Sequence, residues 1–205
     1  MTLNYDELRA MPGRPRLHPN GFIQLDLVED KSLRLHVWPD SRLENQKTMH
    51  PIHDHSFDMD STILTGCLTN LVYEFQPSEY NAQVTLYQAQ RLAGSQDTVL
   101  APAKLKLNTG YLCLLGSFSK LYMPSAKYTL RKRLLHDSIA HGLTATLMKK
   151  TNVSTYSPLI AVPAGVVPDN DYSREDIQEE VLWHFIKKAL DKIEAEKIVK
   201  HKVYA

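Results

Sequence analysis

The chain has 205 residues, 43% of them hydrophobic and 23% charged. That size and balance let it bury a core without disulfide staples, and they exclude both a disordered tail and a fibrous repeat. The 24 basic and 23 acidic residues leave a formal net charge of +1, so no global basic field draws the protein to nucleic acid or anionic lipid.

Residues 1–20 carry Pro12 and Pro15 on either side of an arginine and read as an N-terminal arm draped over the rest rather than a core element. From Gly21 to residue 150 the pattern changes to short apolar runs with β character. GFIQLDLV, SLRLHVW, STILTGCLTNLVYEF and QVTLYQAQ come first, then TVLAPAKLKL, YLCLLGSF, KLYM, KYTL and LTATLMKK. Turn chemistry separates them, as in Glu29-Asp30-Lys31 and Gln76-Pro77-Ser78-Glu79. About nine or ten strands at this spacing predict a sandwich or barrel domain over 21–150. Residues 151–205 begin with a Pro-rich stretch and then turn helical. Ser173, three positions before Asp176, marks the helix start, and Ile177, Val181, Leu182, Phe185, Ile186, Leu190 and Ile193 form one apolar stripe predicted to dock on the β core.

Cys67 and Cys113 are the only cysteines and form no CxxC pair, which excludes a disulfide scaffold and a Cys-rich zinc site. No stretch approaches the roughly 20 apolar residues of a membrane span, and the opening residues lack the apolar region of a signal peptide. A cytoplasmic protein in a reducing compartment, without a membrane partner, is the expectation.

The sharpest chemical feature is Pro51-Ile52-His53-Asp54-His55. In extended backbone, residues two apart share a face, so His53 and His55 present their imidazoles side by side while Asp54 points the other way. Neutral imidazole is the commonest protein ligand for zinc, iron, copper and nickel. Two ligands seldom hold a metal firmly, so a third must come from a distant strand. The candidate is His136, which closes the run Lys127 to His136 as the end of a strand and a short turn. Gly66, at the end of STILTG, is expected to serve a hairpin return beneath the histidine pair. His50, His141 and His184 are read as ordinary loop or helix residues.

His53-Asp54-His55 followed by a distant His136 resembles the cupin superfamily, in which a small jelly-roll barrel supplies an HxH pair from one strand and a single histidine from a later one. The HxH segment, with Leu35-His36-Val37-Trp38 before it, is most similar to the thiol dioxygenase branch that includes cysteine dioxygenase, and the likeness covers roughly residues 31–150. It implies a mostly β, cupin-like double-stranded β-helix (jelly-roll) barrel with a C-terminal α-helix. The chain departs from that pattern in three places. The carboxylate expected after the second histidine is replaced by Ser56-Phe57-Asp58-Met59-Asp60, where alternation turns Phe57 and Met59 inward and Asp58 and Asp60 outward. Arg131-Lys132-Arg133 stands where a Pro-x-Gly turn is usual, and no cysteine lies near residues 59–60 for a Cys–Tyr crosslink.

Alternation along Leu33–Trp38 sets Arg34, His36 and Trp38 on one face and Leu33, Leu35 and Val37 on the other. If the first set faces the barrel interior, Arg34 holds an anionic group of a small-molecule substrate and Trp38 walls its pocket. If the leucines face inward, Arg34 is solvated; the pattern does not choose. Three histidines leave open coordination positions, where iron(II) suits dioxygenation of a thiol or chelating acid and zinc suits hydrolysis. The resemblance favours Fe(II), with Zn, Mn or Ni as alternatives, and a dioxygenase-like oxidoreductase. The competing function is a non-catalytic small-molecule-binding or sensor cupin. A homodimer through sheet edges is compatible with such a fold, and no residue singles it out.

Overall fold

A computed structural model of the chain describes residues 3–41, 43, 51–77, 83–91, 98–102, 111–166 and 177–203. The protein is mostly β. Its elements run α1 (Tyr5–Ala10), β1 (Arg16–Leu17), β2 (Ile23–Asp26), β3 (Leu33–Trp38), β4 (Asp58–Pro77) and β5 (Val84–Arg91). There follow β6 (Thr98–Pro102), β7 (Tyr111–Tyr122), β8 (Lys127–Leu130), β9 (His136–Thr151), β10 (Leu159–Pro163) and α2 (Glu179–Val203). All strand pairings are antiparallel, in the order β1-β2-β3-β9-β4-β7-β5-β10, with β6 on β5 and β8 on β4.

The first twenty residues are more than an arm. Asn4 caps α1 by accepting the Asp6 and Glu7 amides, and Met11 turns extended before Pro12 and ends the helix. Leu8 and Leu17 are both buried in the main core. Gly13 allows the segment after α1 to lie against β2, since a Cβ there would stand 2.6 Å from the Asp26 carbonyl oxygen. The two prolines mask this structure in the sequence because they break every run long enough to show a period.

Period-two alternation explains the central strands. Ile23 and Leu25 of β2 pair with Val37 and Leu35 of β3, and this face packs against Leu182, Trp183, Ile186, Ala189 and Leu190 of α2. The helix is tied down by Lys192 to the Leu143 carbonyl and by Glu196 to the buried Thr65 hydroxyl. Its packed face includes Trp183 and Ala189, whereas Val181 is 39% exposed and lies off it. The predicted start at Ser173 lies outside the described residues. No helix among them is long and apolar enough to cross a membrane.

Three strand expectations change. YLCLLGSF and KLYM are one continuous strand, β7. Leu159–Pro163, within the Pro-rich stretch, is a strand that pairs with β5 through its whole length. Gly66 does not end a strand. It sits inside β4 at φ +73°, where the register with β9 slips on either side of Thr65. A Cβ at Gly66 would come 2.5 Å from the Leu143 carbonyl oxygen, so the glycine serves a bulge at a close backbone approach rather than a hairpin.

Candidate metal centre

The segment carrying the histidine pair belongs to no long strand, yet its backbone is fixed on both sides. His53 exchanges N–H···O bonds with His136, the Asp54 amide donates to the Leu159 carbonyl, and the Ala161 amide donates to the Ile52 carbonyl. Residues 52–54 therefore bridge the start of β9 and the middle of β10. His136 opens β9 instead of closing the preceding strand, as the sequence suggested. The short turn after β8 lies before it, and this turn brings it opposite His53.

The three rings converge. Their centroids are 4.8 Å apart for His53 and His55, 4.7 Å for His53 and His136, and 5.0 Å for His55 and His136. Their candidate ligand nitrogens all lie within 4.8 Å of one another, so small side-chain rotations bring them around one ion at the ~2.0–2.1 Å typical of metal–imidazole bonds.

Two of the rings share a local device. His53 Nδ1 lies 2.7 Å from the Pro51 carbonyl oxygen, and His136 Nδ1 lies 2.8 Å from the Leu134 carbonyl oxygen, in each case two residues back. A carbonyl oxygen only accepts, so these contacts, for His53 shorter than the 3.3 Å from its Nδ1 to the Asn20 side-chain amide nitrogen, put the proton on Nδ1 and leave the Nε2 lone pair for a metal. Burial holds all three histidines below the usual imidazole range, His136 at about 3. Burial is the largest cause for His55 too, and its neighbours His53 and His136 add to it. Three neutral, desolvated imidazoles are what a cation needs and what a proton is denied.

Asp54 points away from the rings, as alternation requires. Its carboxylate accepts the Leu159 amide at 2.6 Å and the Tyr156 hydroxyl at 2.7 Å, while the Arg133 guanidinium lies 4.8 Å from the centre of the Tyr156 ring. Burial outweighs those bonds and pushes the Asp54 carboxyl up to about 6. Asp58 and Asp60 are also engaged outside the ring cluster. Asp58 accepts from Arg131, the Lys132 amide and Asn152, and Asp60 accepts from the Thr129 and Thr151 hydroxyls. The basic turn 131–133 is thus stitched to Asp58, Asn152 and Tyr156.

The three histidines open on a cavity of about 280 Å³. Arg34, His36 and Trp38 line it, so of the two orientations open for this strand it is the polar set that faces the cavity. Leu35 and Val37 lie in the helix-covered core on the other side. Phe57 and Met59 turn into the cavity as alternation predicts, and Tyr128 joins them. Phe22 stacks on His18 at 4.3 Å and packs against His36 and Trp38 at 4.6 and 5.0 Å, forming an aromatic wall. His36 is 6% exposed, its Nε2 has no partner among the described residues, and burial pushes it down to about 3.

His18, Arg16, Lys31 and Asp137 also line the cavity and were not singled out from the sequence. Each stands alone in its local pattern, and only strand pairing gathers them. His141 is exposed with its Nε2 2.8 Å from the Thr69 hydroxyl, and His184 lies exposed on α2. His50 lies outside the described residues. Comparison of the sequence with protein-family models and with curated proteins finds no match.

Proposed function

We propose that the protein is a metal-dependent, cupin-like oxidoreductase that holds one divalent ion with His53, His55 and His136 and acts on a small thiol or acid in the adjoining cavity. The observation that carries this reading is the pair of Nδ1–H···O=C bonds on His53 and His136, which leaves Nε2 of both rings available as a ligand within a cluster whose candidate ligand atoms lie within 4.8 Å of one another. A core histidine placed only for packing has no need of two such matched neighbours. The donor set of three neutral nitrogens with no carboxylate fits iron(II), zinc, manganese or nickel. The sequence resemblance to thiol dioxygenases favours iron.

The finer description of the fold as a jelly-roll barrel is part of the same proposal. It is supported by residues 52–54, which link β9 to β10 across strands otherwise far apart in the sheet order.

Iron(II), if held by His53, His55 and His136, would supply the redox and Lewis-acid chemistry of an oxygen-dependent oxidation. The chain's own residues do the rest. The Pro51 and Leu134 carbonyls orient the ligand rings, the aromatic wall of Phe22, Trp38 and Phe57 excludes water, and Arg34 orients the acid group of the ligand.

The competing reading is a non-catalytic binding or sensor protein, in which the same three histidines and the cavity they open on hold a ligand without turnover. Metal analysis of purified protein, followed by O₂ uptake with Fe(II) and a panel of small thiols and keto acids, separates the two. Near-stoichiometric metal with substrate-dependent O₂ consumption supports the enzyme. Metal or ligand binding without turnover supports the sensor, and protein that stays metal-free after loading with Fe(II), Zn(II) and Mn(II) overturns the metal reading.

A further inference from the structure

His36 is the polar side chain of the cavity that the metal site leaves unexplained. It lies outside the cluster of ligand nitrogens formed by His53, His55 and His136, and only 6% of it is exposed. Its Nε2 has no partner among the described residues. The residues directly opposite it on the two neighbouring strands do not supply one. Gln24 on β2 commits its side-chain amide to Asp26, and Thr146 on β9, itself fully buried, has a hydroxyl that is equally without a partner. Burial first, and the like charge of Arg34 next, keep the imidazole neutral. Buried polar groups are almost always hydrogen-bonded, so an imidazole left unpaired in the wall of a cavity points to a ligand that completes it.

The surroundings describe that ligand. Phe22 packs on the His36 ring with centroids 4.6 Å apart, and Trp38 meets the same ring edge-on at 5.9 Å. Across the cavity lining stand Met59 and Met148, whose thioethers favour contact with aromatic rings. Walls of this kind suit a flat π surface better than a charged or branched aliphatic body. The cavity of about 280 Å³ has room for one ring with its substituents. An apolar void of ~150 Å³ already holds benzene. A neutral imidazole offers one donor and one acceptor, and a hydroxyl group, which both donates and accepts, matches it in either tautomer.

We propose that the cavity takes a hydroxylated aromatic ring, with His36 as the residue that binds its hydroxyl group and the ring seated against Phe22 and Trp38. The inference rests on the functional reading only in that the thiol or acid group of this molecule is the part turned toward the three imidazoles. The hydroxyl subsite itself stands on His36 and the aromatic wall and needs no metal. A ligand of the same shape that lacks the hydroxyl leaves the imidazole unpaired, and the site discriminates against it for that reason.

The test compares phenol with toluene, a ring of nearly the same shape with a methyl in place of the hydroxyl. Both are titrated into the full-length protein carrying ¹⁵N-labelled histidine, once with a chelator present and once after zinc loading, and read by NMR. Phenol should move the ring-nitrogen signals of His36, identified by their loss in His36→Leu or His36→Gln, and toluene should not. The ratio of phenol to toluene affinity should fall about tenfold in His36→Leu and be partly kept in His36→Gln, whose amide still donates and accepts. No phenol binding at millimolar concentration, phenol shifts confined to His53, His55 and His136, or an unchanged affinity ratio in His36→Leu overturns the proposal. Phenol binding at His36 in protein that takes up no metal would leave the subsite standing and remove the metal reading; metal uptake without phenol binding would do the opposite.

Discussion

His53 and His136 exchange both of their backbone hydrogen bonds, at 3.0 and 2.9 Å. Residues paired directly across antiparallel backbone project their side chains to the same side, so the main chain itself sets the two imidazoles next to each other. His55 joins them two residues on. Replacing any one of the three by alanine is expected to abolish high-affinity metal binding while most of the β structure persists, since the leucine-rich core on the opposite face is untouched. Asp60→Ala should leave metal content unchanged, because that carboxylate is occupied by the Thr129 and Thr151 hydroxyls. Metal content after dialysis, with circular dichroism as the folding control, checks both. Full metal retention in His136→Ala would show that the third ligand is another residue.

Tyr156 reaches the ligand segment from behind. Its hydroxyl donates to Asp54, which lies between two of the ring ligands in the chain. Tyr156→Phe removes a hydrogen bond to a buried carboxylate, a loss of about 1.5–3 kcal/mol of stability at pH 8, where Asp54 is ionised. Looser support of the segment should also weaken metal binding by about tenfold. Urea unfolding and a metal-competition titration measure the two effects separately. A stability loss with unchanged metal affinity would confine Tyr156 to holding the fold.

His53 and His55 were legible because extended backbone makes i and i+2 share a face whatever the surrounding fold. The opposite faces of Leu33–Trp38 were legible for the same reason, but which face met the cavity was not. That depended on where α2 docks, and α2 lies far along the chain. β10 went unseen because its five residues are bracketed by prolines and too short to show alternation. The cations gathered around Asp26 left no local trace either. Arg16, Lys31, Arg34 and Lys150 come from β1, a turn, β3 and β9, and only the register of these antiparallel pairs makes them one group.

Lys150 provides a pH signature of that group. Burial first, and the like charge of Arg34 next, push its ammonium down to about 8. The folded protein therefore binds fewer protons at this site than the unfolded chain between about pH 8 and the ordinary lysine value of 10.5. The neutral amine is the form the fold favours, so the contribution of Lys150 to stability is fully present above 10.5 and is lost as pH falls through about 8. Lys150→Met should accordingly be more stable than the parent near pH 7, with the advantage shrinking as pH rises through this window. Chemical denaturation of both proteins at pH 7, 9 and 10.5 tests the sign. An advantage that grows with pH would mean that the ammonium is well compensated in the fold.

The bulge at Gly66 makes the most direct structural prediction because the chain contains its own control. Gly66 and Gly142 have nearly the same left-handed backbone, at φ +73° and +75°. A Cβ at Gly142 meets nothing within 4 Å, whereas at Gly66 it would stand 2.5 Å from both the Leu143 carbonyl oxygen and Thr144 Oγ1 and 2.8 Å from Thr144 Cα. Gly142→Ala therefore carries only the conformational penalty, about 1 kcal/mol. Gly66→Ala adds a backbone clash inside the β4–β9 ladder and should cost on the order of 2–4 kcal/mol, about 5–15 °C in Tm for a domain of this size. β9 carries His136, so the same substitution should lower metal affinity while Gly142→Ala leaves it intact. Thermal melts and metal titrations of the two variants give the comparison. Equal Tm values would mean that β4 and β9 do not approach this closely at Gly66, and that the alignment of His136 with His53 does not depend on the bulge.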